Sequence, residues 1–153
     1  MLNPKDRYWV LVADSGQARI VEMRRKPYAF NVVTELASVA KHRTSKELVS
    51  DASGRAYHTQ GPGTHAKEPR SNPRDLAEEE FTNGLARQID RAAGEGRFER
   101  LVLIADARTL GRLRRDLGKA ATRLVAEERT LDLAKIPLND LEPRVRDILG
   151  WAA

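Results

Sequence analysis

Apolar positions along this chain follow two different periods, separated by a stretch that has neither. Tyr8 to Ala13 (YWVLVA) is a continuous apolar run rich in β-formers and predicts a buried strand. Asp14-Ser15-Gly16 is turn chemistry: short polar side chains that bond local backbone, then a glycine. Gln17 to Met23 alternates and predicts a second strand, hairpinned to the first. After the polar turn Arg24-Arg25-Lys26-Pro27, Phe30 to Leu36 predicts a third. Three short strands on short turns make an antiparallel meander.

Beyond residue 72 the period becomes helical. Asn72 is placed to be an N-cap and Pro73 the first helical residue. Ala77, Phe81, Leu85, Ile89 and Ala92 form one apolar stripe. Glu78, Glu79 and Glu80 lie towards the positive end of the helix dipole, Arg87 and Arg91 towards the other end. Gly94 and Gly96 stop the helix. Gly84 inside it costs about 1 kcal/mol against alanine, which suggests close packing against a neighbouring strand. Leu101 to Ala105 (LVLIA) reads as a central strand covered on both faces. Asp106 is placed to cap the next helix, whose buried side is Leu110, Leu113, Leu117 and Ala121. Its other side carries Arg108, Arg112, Arg115 and Lys119, a second cationic surface expected to be solvated. Part of Arg123 to Thr130 is expected to be a strand, and Leu133 to Pro137 extended, since Pro137 disfavours helix before it. Asn139 is expected to cap a last helix carrying Leu141, Val145, Ile148 and Leu149.

The order is therefore β-β-β, long loop, α-β-α-β-α. A right-handed crossover from the meander through the first helix places the LVLIA strand parallel to a meander strand. The expected architecture is α/β: a single domain over residues 1–153 with a mixed sheet of five strands.

The aperiodic stretch is residues 41–74, which should form a long basic loop within the domain. Gly54, Gly61, Pro62, Gly63, Pro69 and Pro73 break any regular element. Lys41, Arg43, Lys46, Arg55, Lys67, Arg70 and Arg74 face only Glu47, Asp51 and Glu68, a net +4 against +5 for the whole chain. Loops this long are usually functional or disordered. One reading is a solvated insertion; the other is a mobile cationic arm that meets a polyanion. Ser53 to Lys67 has few large apolar groups to offset the cost of ordering, so it is expected to be extended or poorly ordered.

Composition narrows the chemistry. With no cysteine, disulfides, thiolate metal sites and a cysteine nucleophile are excluded. The opening MLNPKDRYWVLVAD makes a poor secretory signal, and no apolar run approaches a membrane span, so a cytoplasmic protein without membrane contact is expected. All three histidines, His42, His58 and His65, fall in the 41–74 stretch, but their spacing matches no standard zinc site. Gly61-Pro62-Gly63 is neither a dinucleotide fingerprint nor a Walker motif. No cofactor, metal ligand or catalytic residue is expected. The topology also admits a ribonuclease-H-like two-metal site built from Asp14, one of Glu78 to Glu80, and Asp106. Against it, Asp14 suits a turn, Asp106 a cap and the glutamates a helix start.

Several segments together resemble the host-attachment protein family of bacteria, named for a role in adherence to host cells. They are YWVLVADSGQARIVEM, ELVSDASGRAY, GPGTHAKEPRSNP running into AEEEFTNGLARQID, and FERLVLIADARTLGRLRRDL. The resemblance runs from about Tyr8 to Leu149. That family is similar to the central domain of archaeal and eukaryotic class-one translation release factors, which has the same order: a meander with a D-x-x-x-A-R turn, a long basic loop, then helix, strand and helix. The resemblance implies a release-factor-like fold and a basic loop that reaches ribosomal RNA. The release-factor loop ends in Gly-Gly-Gln; here the corresponding tip is Gln60-Gly61-Pro62-Gly63, so Gln60 does not inherit the catalytic role. The expected function is a non-catalytic binding module for RNA or the ribosome. Arg55, Gln60, Gly61, Gly63, His65, Lys67 and Arg70 are its expected contact residues. The alternative is a regulatory module with a protein partner and an indirect effect on attachment; a metal-dependent nuclease stands third.

Overall fold

The computed structural model describes residues 3–38 and 72–151. The meander is β1 (Tyr8–Ala13), β2 (Gln17–Arg24) and β3 (Ala29–Ala37). Then follow α1 (Pro73–Gly94), β4 (Arg100–Ala105), α2 (Ala107–Asp116), the single turn α3 (Lys119–Thr122), β5 (Val125–Thr130) and α4 (Leu138–Leu149). The five strands form one sheet in the order β3-β2-β1-β4-β5. β1 and β2, like β2 and β3, run antiparallel; β4 is parallel to β1, and β5 to β4. The expected mixed five-stranded α/β sheet is what the chain forms.

β1, and β4 from Leu101 on, are apolar because both sides of the sheet are covered. Trp9, Leu11 and Ala13, with Leu101, Leu103 and Ala105, pack against Leu85 and Ile89 of α1 and Leu110 and Leu113 of α2. The alternate set, Tyr8, Val10, Val12, Val102 and Ile104, packs against Leu141 and Val145 of α4 and Trp151. Period-two alternation thus sends each strand's residues into two separate cores. The two edges are less apolar. β3 carries an extra residue, Val33, opposite Ile20 and Val21, and β5 carries Glu127, Glu128 and Arg129. Bulges and charges of this kind protect exposed edges from further pairing.

α1 starts as its sequence indicates. Asn72 Oδ1 accepts from the Asp75 N–H at 2.7 Å, and Pro73 is the first helical residue. Asp75, rather than Glu78 to Glu80, is the acid of the first turn, where the dipole acts. Gly84 is exposed, and a Cβ there would meet nothing within 4 Å, so the expected close packing is not present. Gly84→Ala should therefore stabilise the protein by about 0.5–1 kcal/mol, seen as a higher urea midpoint at unchanged slope.

Three further expectations change. Arg112 is not on a solvated face: it is 7% exposed and reaches across to Glu78 of α1, while Arg108 pairs with Asp75 and Arg115 with Asp116. Arg108 and Arg115 stay exposed, as expected of a solvated face, and only Arg112 departs from it. α4 begins at Leu138 with Pro137 as its N-cap, so Asn139 lies inside the helix and does not cap it. Finally, Ala134 and Lys135 make a turn rather than extended chain. Leu133 and Ala134 are buried against the α4-side core, and Gln17 Nε2 donates to the Ala134 carbonyl at 3.0 Å. Tertiary anchoring decides this segment, not the local preference before Pro137.

At the amino ends of β1 and β4, Arg7 and Glu99 join the strands. The Arg7 N–H donates to Glu99 Oε1 at 2.6 Å, and the guanidinium donates to the same carboxylate. These bonds hold the Glu99 carboxyl below its usual range. A depressed folded pKa gives stability that is present above the unfolded value of about 4.3 and is lost as pH falls through the folded one. Both side chains are 38% exposed, so solvent screening limits the gain to about 0.5–1 kcal/mol. Arg7→Ala, which leaves the main-chain bond, should remove most of it, flattening the acid limb of a Tm-against-pH curve below about pH 4.5.

Candidate functional site

The carboxyl ends of β1, β4 and β5, together with the end of β3, open into one pocket of about 400 Å³. Asp14, Ser15 and Gly16 come from the turn after β1, and Ser38 from the end of β3. Arg74 and Glu78 come from the first two turns of α1, Asp106 from the start of α2, and Asp132 and Lys135 from the connection after β5. In open α/β sheets, ligands bind outside the carboxyl ends of the strands, because helix starts and loops converge there.

Most of its carboxylates have structural duties. Asp14 Oδ1 accepts from the Gly16 and Gln17 N–H groups, each at 2.8 Å, and so closes the β1–β2 turn. The Ser38 N–H donates to the Gly16 carbonyl at 2.9 Å, pinning the end of β3 to that turn. Asp106 Oδ2 accepts from the Thr109 N–H at 3.2 Å and caps α2; Asp106 Oδ1 is buried without a partner among the described residues. Glu78 accepts from Arg112 Nη1 at 3.3 Å. The structure therefore brings together the three carboxylates a nuclease reading requires, Asp14, Glu78 and Asp106. Among the described residues, however, no group of three or more His, Asp or Glu is arranged to hold a metal ion. Asp106→Asn should keep the cap and stay within about 0.5 kcal/mol of the parent. Asp106→Ala should cost about 1 kcal/mol, or about 2–4 °C in Tm. A nuclease would instead lose all cleavage of RNA in either variant, with magnesium or manganese present.

The contact residues expected from the sequence, Arg55, Gln60, Gly61, Gly63, His65, Lys67 and Arg70, lie outside the described residues. So do all three histidines and the expectation about order in Ser53 to Lys67. Of the 41–74 stretch only residues 72–74 are described. Ser38 before it and Arg74 at its end line the same pocket, so the chain leaves and re-enters the described fold at the carboxyl end of the sheet. The sequence reading missed Asp132 and Lys135. The position of both just past a strand end is the signal that the carboxyl-end rule would have used.

A second hollow, of about 410 Å³, lies at the opposite end and is lined by Tyr8, Arg25, Lys26, Leu149 and Trp151 among others. It gathers no set of carboxylates. On the α4 side, the Tyr28 hydroxyl donates to Glu142 under the Arg146 guanidinium, 4.8 Å from its ring. Burial, helped by that hydrogen bond, pushes the Tyr28 hydroxyl up to about 12.

A mixed sheet with a parallel β1-β4-β5 half and a meander beside it defines a release-factor-like α/β fold. The chain belongs to the family described as "Protein required for attachment to host cells", which matches residues 9–145. Among solved structures it is similar to the crystal structure of an archaeal translation termination factor, with a TM-score of 0.50 and 10% identity. That likeness covers 95% of this chain but only 42% of the factor, so the chain spans less than half of that protein's length. No curated protein matches the sequence. No described helix is long and apolar enough to cross a membrane.

Proposed function

We propose that this protein is a non-catalytic binding module of the host-attachment family that holds RNA, on the ribosome, through residues 41–74. The observation that supports this is that Ser38, shortly before a stretch of net +4, and Arg74, its last residue, line one pocket at the carboxyl end of the sheet. The pocket itself is lined by four carboxylates and two cations, so it is a poor host for phosphate. The polyanion contact therefore falls to Arg55, His65, Lys67 and Arg70, with Gln60, Gly61 and Gly63 at the tip for close backbone approach. The likeness to a translation termination factor supports the ribosome as the RNA's setting, and the cytoplasm as the place of action. The protein should co-sediment with bacterial ribosomes at low salt and be released as salt rises. Failure to co-sediment with ribosomes or bind RNA at low salt would remove this reading.

The family's description favours a second reading, a protein-interaction role in attachment. A pull-down that recovers one specific protein and no ribosome would select it.

A further inference from the structure

We propose that the hollow at the amino ends of β1 and β5 is a site for a small organic anion, an apolar body ending in one phosphate or carboxylate group. It lies at the end of the sheet opposite Ser38 and Arg74 and does not depend on the RNA-binding reading. Two turns and a helix end build its walls. The Lys26 N–H donates to the Pro4 carbonyl at 3.1 Å, which ties the β2–β3 turn to the amino-terminal segment. Gly150 ends α4 at φ 72°, and the Trp151 N–H returns to the Arg146 carbonyl at 2.8 Å. That left-handed turn sets the Trp151 ring edge-on to Tyr8, with centroids 4.9 Å apart. Pro4, Ala126, Leu149 and Trp151 give the hollow apolar walls, and its volume of about 410 Å³ is that of a small-ligand pocket.

Tyr8 is 6% exposed and lines this hollow, and its hydroxyl has no hydrogen-bond partner among the described residues. Buried tyrosine hydroxyls usually find one. Burial holds the Tyr8 hydroxyl above its ordinary range, against the pull of Arg100 and Arg25, so at neutral pH it is an uncharged donor. The charges around it are not equally satisfied. Glu127 on the wall accepts from Arg129 Nη1 at 2.7 Å, and Asp6 Oδ2 lies 3.4 Å from Arg100 Nε. Arg25 and Lys26 line the hollow, are exposed, and have no ion pair among the described residues. Each nearby carboxylate is thus offset by a neighbouring arginine, and the two rim cations are not offset. A neutral donor beside two unpaired cations suits an anionic head, and Leu149 and Trp151 suit an apolar body.

The test titrates the full chain with phenyl phosphate and phenylacetate, which share a ring and differ in the anionic head. Inorganic phosphate and benzyl alcohol each supply one half alone. Calorimetry should give a dissociation constant of about 1 mM or tighter for at least one of the first pair, and binding about tenfold weaker for either half. The tighter of the first pair tells a phosphate head from a carboxylate head. The chain has two tryptophans, and NMR reads both indole N–H groups. That of Trp151 should shift during the titration; that of Trp9, in the other core and bonded to Glu22, should not. Tyr8→Phe should weaken binding about tenfold and leave Tm unchanged, since the lost hydroxyl has no partner among the described residues. Lys26→Gln should weaken binding about three- to tenfold, more at low salt than at high. Arg87→Gln, the same charge change at an exposed position of α1, should stay within about twofold of the parent. No binding of either anion, binding of either half as tight as the whole, or a Trp151 signal that does not move would overturn the inference. So would parent-like binding by Tyr8→Phe or by Lys26→Gln. If Tyr8→Phe does not fold, the Trp151 shift and the comparison of Lys26→Gln with Arg87→Gln still decide.

Discussion

Replacing Lys67 and Arg70 together by glutamate is expected to weaken RNA binding about ten- to hundredfold at low salt. The double substitution takes residues 41–74 from a net +4 to neutral. Each lost phosphate contact removes counterion release, and each new carboxylate adds repulsion. The loss should narrow as salt rises, since exposed charges are screened beyond about 10 Å at 0.1 M. Stability should hardly move, because described elements cover both faces of the sheet: α1 and α2 on one side, α4 on the other. Deleting Ser53 to Lys67 should give the stronger form of the same result. Binding should be abolished while Tm stays near the parent value, as loop-closure entropy changes slowly with length. Electrophoretic mobility shift and calorimetry on the same preparations check the two halves. A deletion that unfolds the protein would make the segment part of the structure rather than an arm.

The largest stability loss is expected for Trp9→Ala, about 3–5 kcal/mol. Trp9 stands in β1, the strand flanked by β2 and β4, with 2% exposure. Its ring stacks on Phe98 at 4.9 Å, and the Arg97 guanidinium lies 5.5 Å from it. Its indole Nε1 donates to Glu22 Oε1 at 3.0 Å, tying β1 to β2 on the α1 side. Truncation would leave a cavity in the larger core and an unpaired Glu22. A domain stable by about 5–15 kcal/mol cannot absorb much of that, so urea unfolding should shift steeply or lose its folded baseline. Trp9→Phe, which keeps most of the ring, should cost clearly less. A small effect for Trp9→Ala would mean that β1 is not the centre of the core.

How far the sequence disclosed this fold depends on how local each cause is. β1 spans Tyr8–Ala13 in the sequence reading and in the structure alike, because an unbroken apolar run ended by Asp-Ser-Gly has few alternatives. The start of α1 was equally plain, since Asn72 and Pro73 act on backbone within one turn. That β4 runs parallel to a meander strand followed from the crossover rule, a rule about topology rather than about any one residue; that this strand is β1 did not. Apart from the cap of α4, which sits at Pro137 and not Asn139, what failed was tertiary. Arg112 looked like a solvated arginine because the carboxylate that buries it, Glu78, is 34 positions away. Gly84 looked like a packing glycine and faces open space. The turn at Ala134 depends on Gln17, far back in the chain. At the site, Asp14 and Asp106 were readable as turn and cap. The pocket they share with Asp132, Lys135 and the anchors of residues 41–74 was not, because strand order assembles it.

The central claim, a phosphate contact made by the basic segment, is tested most directly by the slope of log affinity against log salt for single-stranded RNA. With three to five phosphates neutralised, the slope should be about −2 to −3.5 for the parent, and shallower for Lys67→Glu with Arg70→Glu. A flat slope, or the same slope in parent and double variant, would contradict the account.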